Sequence, residues 1–179
     1  MPKREIRILG LSAPRGGRIG KSIPIVGIIY RGSLWLDGIL VFLVDPKRSG
    51  YLNTVATSIK NSKHYSQIRA VILSRPQLVA RKTIRLQKLA TRIRLPVFCL
   101  LRTSKDARGL GRETKRGPVI RIFLGRRDRS VLAYGIGRQE AESILRVACA
   151  VGTRIPEAVR TADLIANRVL NQSFLAEIK

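Results

Sequence analysis

The sequence predicts an α/β fold: a mixed sheet that opens as an antiparallel meander of three strands, continues with parallel strands, is flanked by helices and closes on a C-terminal helix pair. Three observations predict it. Short β-branched and aliphatic runs bounded by Gly- and Pro-containing turns recur through the first half of the chain. Apolar runs and helix-periodic segments then alternate, and a helix between two strands of one sheet implies a right-handed parallel crossover. From residue 138 onward two amphipathic helical patterns follow one another without a strand. A chain of 179 residues with 45% apolar content is long enough to bury a large core, and residues 1–179 read as one domain.

Residues 6–14, I-R-I-L-G-L-S-A-P, form the first strand and stop at a turn. The next stretch, R-G-G-R-I-G-K-S at 15–22, has the outline of a phosphate-binding P-loop. It lacks the Gly that must stand where Arg15 is, and a β-branched run with Pro24 follows instead of a helix. It reads as a loop that lays Arg15, Arg18 and Lys21 along a sugar-phosphate backbone. Residues 23–31 and 34–44 are the second and third strands, joined by a hairpin turn at 30–34. Residues 51–62 place Leu52, Val55, Ala56 and Ile59 at helical spacing, and 68–73 is a compact apolar strand ending at Ser74-Arg75-Pro76.

A helix over 80–93 carries the sharpest electrostatic pattern. Arg81, Arg85, Lys88 and Arg92 fall within about 60° of arc at 100° per residue, with Lys82 beside them, while Leu86, Leu89, Ala90 and Ile93 form a separate apolar face. A merely solvated face mixes signs, and this one has no acid. Residues 95–101 are the next strand. The segment 103–117, with Arg108, Arg112, Lys115 and Arg116, is too glycine-rich and charged for a core element and reads as a basic loop that orders against RNA. Residues 119–124 and 130–135 form a hairpin with Arg126, Arg127 and Arg129 at its tip, and residues 138–151 and 156–170 are the closing helices.

The charge narrows the partners. With 35 Lys and Arg against 11 Asp and Glu, the net charge is +24, and a polyanion is the natural means of neutralising it. No apolar run reaches the ~18 residues of a membrane-spanning helix, and Met1 opens no leader pattern. These features place the protein in the cytoplasm with nucleic acid as its partner. Residues 130–179 hold six basic and five acidic residues, so the excess lies before them and the C-terminal helix pair reads as structural. Cys99 and Cys149 lie in apolar segments without metal-binding spacing and read as buried thiols. His64, the lone histidine, reads as an exposed residue without a catalytic role.

Metal-assisted phosphodiester cleavage needs carboxylates converging on one or two divalent ions. Between Asp45 and Asp106 there is no acidic residue at all, and before residue 130 only Asp37 lies within an apolar strand. No metal or cofactor is expected on that count.

The pieces I-R-I-L-G-L at 6–11, V-G-I-I-Y-R-G-S-L-W-L-D-G-I at 26–39, I-K-N-S-K-H-Y-S-Q-I-R-A-V-I-L at 59–73, E-A-E-S-I-L-R-V-A and I-P-E-A-V-R-T-A-D-L-I-A together point to a family. The chain resembles, nearly end to end, the archaeal endonuclease dU family, which is related to endonuclease V and shares its RNase H-like fold. The resemblance implies an archaeal source and a first strand ending in paired aspartates, where this chain has Ser12 and Ala13. It also implies Leu-Asp-Gly after the fourth strand, where this chain has Leu73-Ser74-Arg75. On that comparison Asp37 alone survives of the metal site, and the chain is expected to be a degenerate member.

The expectation that follows is a non-catalytic, strongly basic RNA-binding protein: a ribosomal or stably ribosome-associated protein with ribosomal RNA and neighbouring ribosomal proteins as partners and no small-molecule substrate. Arginines and lysines of the four basic segments, with Arg75, would contact phosphates and release counterions. The competing readings are a metal-dependent DNA-repair or RNA endonuclease using Asp37, and a DNA-binding chromatin protein.

Overall fold

The structure is a computed structural model that describes residues 5–15, 19–79, 83–101, 122–123 and 130–169. Its strands form one seven-stranded sheet in the order β3-β2-β1-β4-β5-β7-β6. β1 (Arg7–Ser12) pairs antiparallel with β2 (Ile23–Arg31), and β2 pairs with β3 (Trp35–Val44), which is the expected meander. β4 (Ile68–Leu73) joins β1 in parallel and β5 (Val97–Leu101) joins β4 in parallel. β7 (Ser130–Tyr134) then runs antiparallel to β5 and carries β6 (Ile122–Phe123) outside it.

The two faces of the sheet are covered separately. In β4 and β5 both faces are buried: Val71, Leu73, Val97, Cys99 and Leu101 point to one layer, and Ala70, Ile72, Phe98 and Leu100 to the other. The first layer is closed by α1 (Tyr51–Lys60) and α2 (Leu86–Ile93), through the predicted apolar faces Leu52, Val55, Ala56, Ile59 and Leu86, Leu89, Ala90, Ile93. The second is closed by α3 (Arg138–Ala148) and α4 (Glu157–Leu164), the latter running on into a π turn at Ile165–Val169.

Gly10 sets where α4 sits. A Cβ at this position of β1 would overlap the backbone of Ala158 and Val159, so the helix lies directly on the strand. Val26 and Ile28 of β2 then meet Ala162 and Ala166. The helix reaches no further across the sheet, and on the edge strand β3 Ile39, Val41 and Leu43 remain exposed on that side.

Two expectations change. The helix predicted over 80–93 begins only at Leu86, because Ile84 donates its N–H to the Pro76 carbonyl and Arg85 is extended. Arg85 therefore stands at the N-cap position of α2, with Lys88 and Arg92 on the helix, while Arg81 lies outside the described residues. His64 is half-buried, with its ring stacked over Gly38 of β3, where a Cβ would lie 2.6 Å from Nε2.

Candidate functional site

Strands β1 and β4 end side by side, and Ser74 follows Leu73 directly; its N–H bonds the Leu11 carbonyl at 2.9 Å. Three buried or half-buried side chains meet at this edge. The Ser74 hydroxyl donates to Ser12 Oγ at 3.0 Å, and Ser12 donates in turn to Asp163 Oδ1 at 2.8 Å. Ser12 is fully buried and Ser74 nearly so, which makes this a desolvated chain of hydroxyls whose members polarise one another. Asn167 Nδ2 approaches the same carboxylate oxygen at 3.3 Å and also bonds the Asp163 carbonyl, while its Oδ1 accepts the Arg15 N–H at 3.1 Å. The outer side of Asp163 faces a cleft of about 340 Å³ that is also lined by Arg15, Arg160, Asn167 and Arg168.

Asp163 is the residue that sequence reasoning missed. It lies on the helix pair taken as structural, at a polar position of α4, and α4 reaches the tip of β1 only because Gly10 admits Ala158. The sole signal in the sequence was the presence of an acid in the motif I-P-E-A-V-R-T-A-D-L-I-A.

Asp37 lies elsewhere. It is at the opposite end of the sheet, where Arg7 pairs with Arg31, about 17 Å along β1 from Ser12. Arg7 Nε donates to Oδ2 at 2.6 Å and Arg31 Nη2 to Oδ1 at 2.9 Å, and the carboxylate side chain is 10% exposed. The Arg31 hydrogen bond, together with Arg7, holds Asp37 below the usual carboxylate range in spite of desolvation, and Asp37 raises Arg31 in return. It is an ion pair within the sheet, away from the tips of β1 and β4.

The predicted basic residues separate into groups. Arg15 lines the Asp163 cleft. Arg75 is a clamp: its Nη2 donates to the Ala13 carbonyl at 2.7 Å and its Nε to the Gln77 carbonyl at 3.1 Å, which holds the turn after β1. Ala13 is fully buried and contributes this carbonyl alone. Lys21 is exposed, and Arg85, Lys88 and Arg92 line a second cleft on the other face. Arg18, Arg81, Lys82, Arg108, Arg112, Lys115, Arg116, Arg126, Arg127 and Arg129 lie outside the described residues, as does the loop 103–117. Cys99 is buried and Cys149 half-buried, its thiol pushed up to about 11 by burial and by Glu157.

The sequence profile of the endonuclease dU family matches residues 4–170. The chain belongs to the endonuclease dU family. A UPF0215 protein of Methanosarcina mazei is 28% identical over 183 residues, covering 93% of this chain and 92% of its own. A protein of unknown function from Archaeoglobus fulgidus superposes with a TM-score of 0.76 at 20% identity, over 93% of this chain and 99% of that one. Endonuclease V of Ciona intestinalis, in complex with a 24mer DNA containing an inosine followed by a ribo-adenosine, superposes with a TM-score of 0.61 at 11% identity, over 98% and 88%. These likenesses show the RNase H-like, endonuclease V-type fold.

They also correct the functional expectation. The matched family is one of endonucleases, which points to an enzyme and not to a non-catalytic, degenerate one, and nothing in the match points to the ribosome or to ribosomal RNA. Among the described residues no helix is long and apolar enough to cross a membrane.

Proposed function

We propose that this chain is an endonuclease that cleaves nucleic acid at the cleft beside Asp163. The observation that supports it is the convergence on one sheet edge of a carboxylate that accepts from the buried Ser12 hydroxyl, itself backed by Ser74, with Arg15, Arg160 and Arg168 in the same cleft. Cleavage of a phosphodiester needs cationic donors that hold its oxygens and a fixed negative group that orients the attacking water or holds an ion on those oxygens. The Ser12 hydroxyl and the Asn167 amide both donate to Oδ1, which fixes the plane of the carboxylate. Arg15 and Arg168 supply the planar fork that matches phosphate oxygens, while Arg160 is held by Glu157 at 2.6 Å and its guanidinium is kept in place by that pair.

The donors are all oxygens, and a magnesium ion characteristically takes one or two carboxylates, several waters and substrate phosphate oxygens. Asp163 would supply the carboxylate for one such ion; Asn167 turns its Nδ2 to that carboxylate and its Oδ1 to the Arg15 N–H, so it orients Asp163. A two-ion centre does not fit the described residues, among which no three His, Cys, Asp or Glu side chains cluster. When bound, the ion would activate water and stabilise the leaving oxygen.

The test is cleavage of oligonucleotides carrying one deoxyuridine or deoxyinosine, with unmodified strands as controls, in magnesium or manganese. Strand scission at the modified position, reduced at least about 100-fold in Asp163→Asn, is the expected result. Scission that survives Asp163→Asn, or none with either ion, overturns the reading.

A further inference from the structure

We propose that a second site, between α1 and α2, binds a backbone phosphate of the nucleic-acid strand. It is a cleft of about 280 Å³ whose lining includes Ser49, Gly50, Asn53, Arg85, Lys88 and Arg92. Lys88 and Arg92 stand on α2 and Arg85 at its N-cap, and all three line this space. No acidic group pairs with any of them among the described residues. The carboxylate nearest in sequence to the α1 end of the cleft, Asp45, accepts the Lys47 N–H at 2.8 Å and lies 3.8 Å from Arg48. Three uncompensated cations held around an open cleft make a site for a compact anion.

The wall opposite the cations is chemically matched to the same ligand. No side chain caps α1, and its first turn holds no acid. The Tyr51 N–H is used by the Arg48 carbonyl, whereas those of Leu52 and Asn53 meet no acceptor among the described residues. Tyr51 Oη donates to the Thr83 carbonyl at 3.1 Å, which fixes the start of α1 against the chain entering α2 and sets the width of the cleft. Gly50 has φ −85° and open space where a Cβ would stand, so a side chain is tolerated there, yet the position holds none of the capping residues that would fill the cleft with an internal acceptor.

The position of the cleft makes the ligand a strand and not an isolated ion. β3 runs beside β2 past the level of Ser12 before leading into α1, and α2 follows the segment that leaves β4 at Ser74. Both helices therefore start at the same edge of the sheet as Ser12 and Asp163, with the phosphate cleft on one face and the Asp163 cleft on the other. A strand crossing this edge would meet both. The ligand assignment rests on the nuclease reading; the anion site itself does not.

The test uses the full chain in EDTA, so that binding is read without cleavage. Fluorescence anisotropy of a labelled single-stranded oligonucleotide at several salt concentrations is compared for the wild type, Asp163→Asn, the triple Arg85→Gln/Lys88→Gln/Arg92→Gln variant, and Gly50→Asp. The triple variant is expected to lose about tenfold in affinity and to flatten the salt dependence by about two counterions. Gly50→Asp places a carboxylate at the helix cap, which stabilises α1, so it should weaken binding about fivefold with Tm unchanged or raised. Titration of the wild type with inorganic phosphate should shift the amide resonances of Gly50 to Asn53 in the wild type alone. Salt dependence equal to wild type in the triple variant, or unaltered affinity in Gly50→Asp, overturns the site. A phosphate-induced shift in a wild type that binds no oligonucleotide overturns the strand as ligand. Loss of cleavage in Asp163→Asn with binding retained separates failure at the reaction centre from failure here.

Discussion

The two ends of strand β1 each hold a carboxylate near arginines, and the contrast between them explains what each end does. Asp37 accepts three guanidinium hydrogen bonds from Arg7 and Arg31, so its charge is spent within the protein. Asp163 accepts from a serine hydroxyl and an amide, and it lines a cleft together with Arg15, Arg160 and Arg168. A carboxylate bound by two guanidinium groups within the sheet serves the fold, whereas one at the rim of a cleft is placed to meet a ligand. The lesson is that a carboxylate inside an apolar strand can be a tie, and one on an apparently structural helix can be the reactive group.

The comparison breaks first at Gly10. Gly10→Ala forces a methyl into the α4 backbone and should cost about 3 kcal/mol or more, with Asp163 displaced from Ser12. Thermal unfolding should show a Tm lower by about 6–12 °C, and cleavage should be lost along with it. A variant with unchanged Tm would mean that α4 does not rest on β1 as described.

Ser12→Ala sharpens it. The substitution leaves the Ser74 hydroxyl buried without this acceptor and removes the Ser12 bond to Asp163, so cleavage should fall about tenfold and stability by about 1–2 kcal/mol. Equal rates in Ser12→Ala and wild type would show that Asp163 needs no positioning.

Asp37→Asn should give the smallest effect, and one confined to stability. Cleavage should stay within about twofold while Tm at pH 7 drops by roughly 3–6 °C. The pH dependence has a definite sign. The carboxyl of Asp37 is held lower in the folded protein than in the unfolded chain, so its contribution is present in full above the ordinary carboxylate value of about 4 and fades as pH falls through the folded value. The gap between wild type and Asp37→Asn should therefore be constant from about pH 5 to 8 and close only below pH ~4. A cleavage defect in this variant would return Asp37 to the reaction.

Local pattern was enough for much of the scaffold. β2 and β4 fall at the predicted residues because their β-branched runs are bounded by turns, and α1 and α2 bury the apolar positions that helical spacing marks. The start of α2 was not legible, because Ile84 donates its N–H back to the Pro76 carbonyl and Arg85 is extended, which no helical spacing in the sequence marks. The role of Arg75 was equally hidden: its charge suggested a phosphate, and the carbonyls it holds are made available only by the turn after β1.

By itself the sequence determined the order of elements, the faces they bury and a charge that calls for a polyanion, because each follows from spacing and composition within a short stretch of chain. Only the tertiary structure decided which carboxylate faces the strand tips. Asp163 and Ser12 are 151 residues apart, and their meeting depends on the absence of one side chain at Gly10, a contact of helix backbone on strand backbone that no periodicity records.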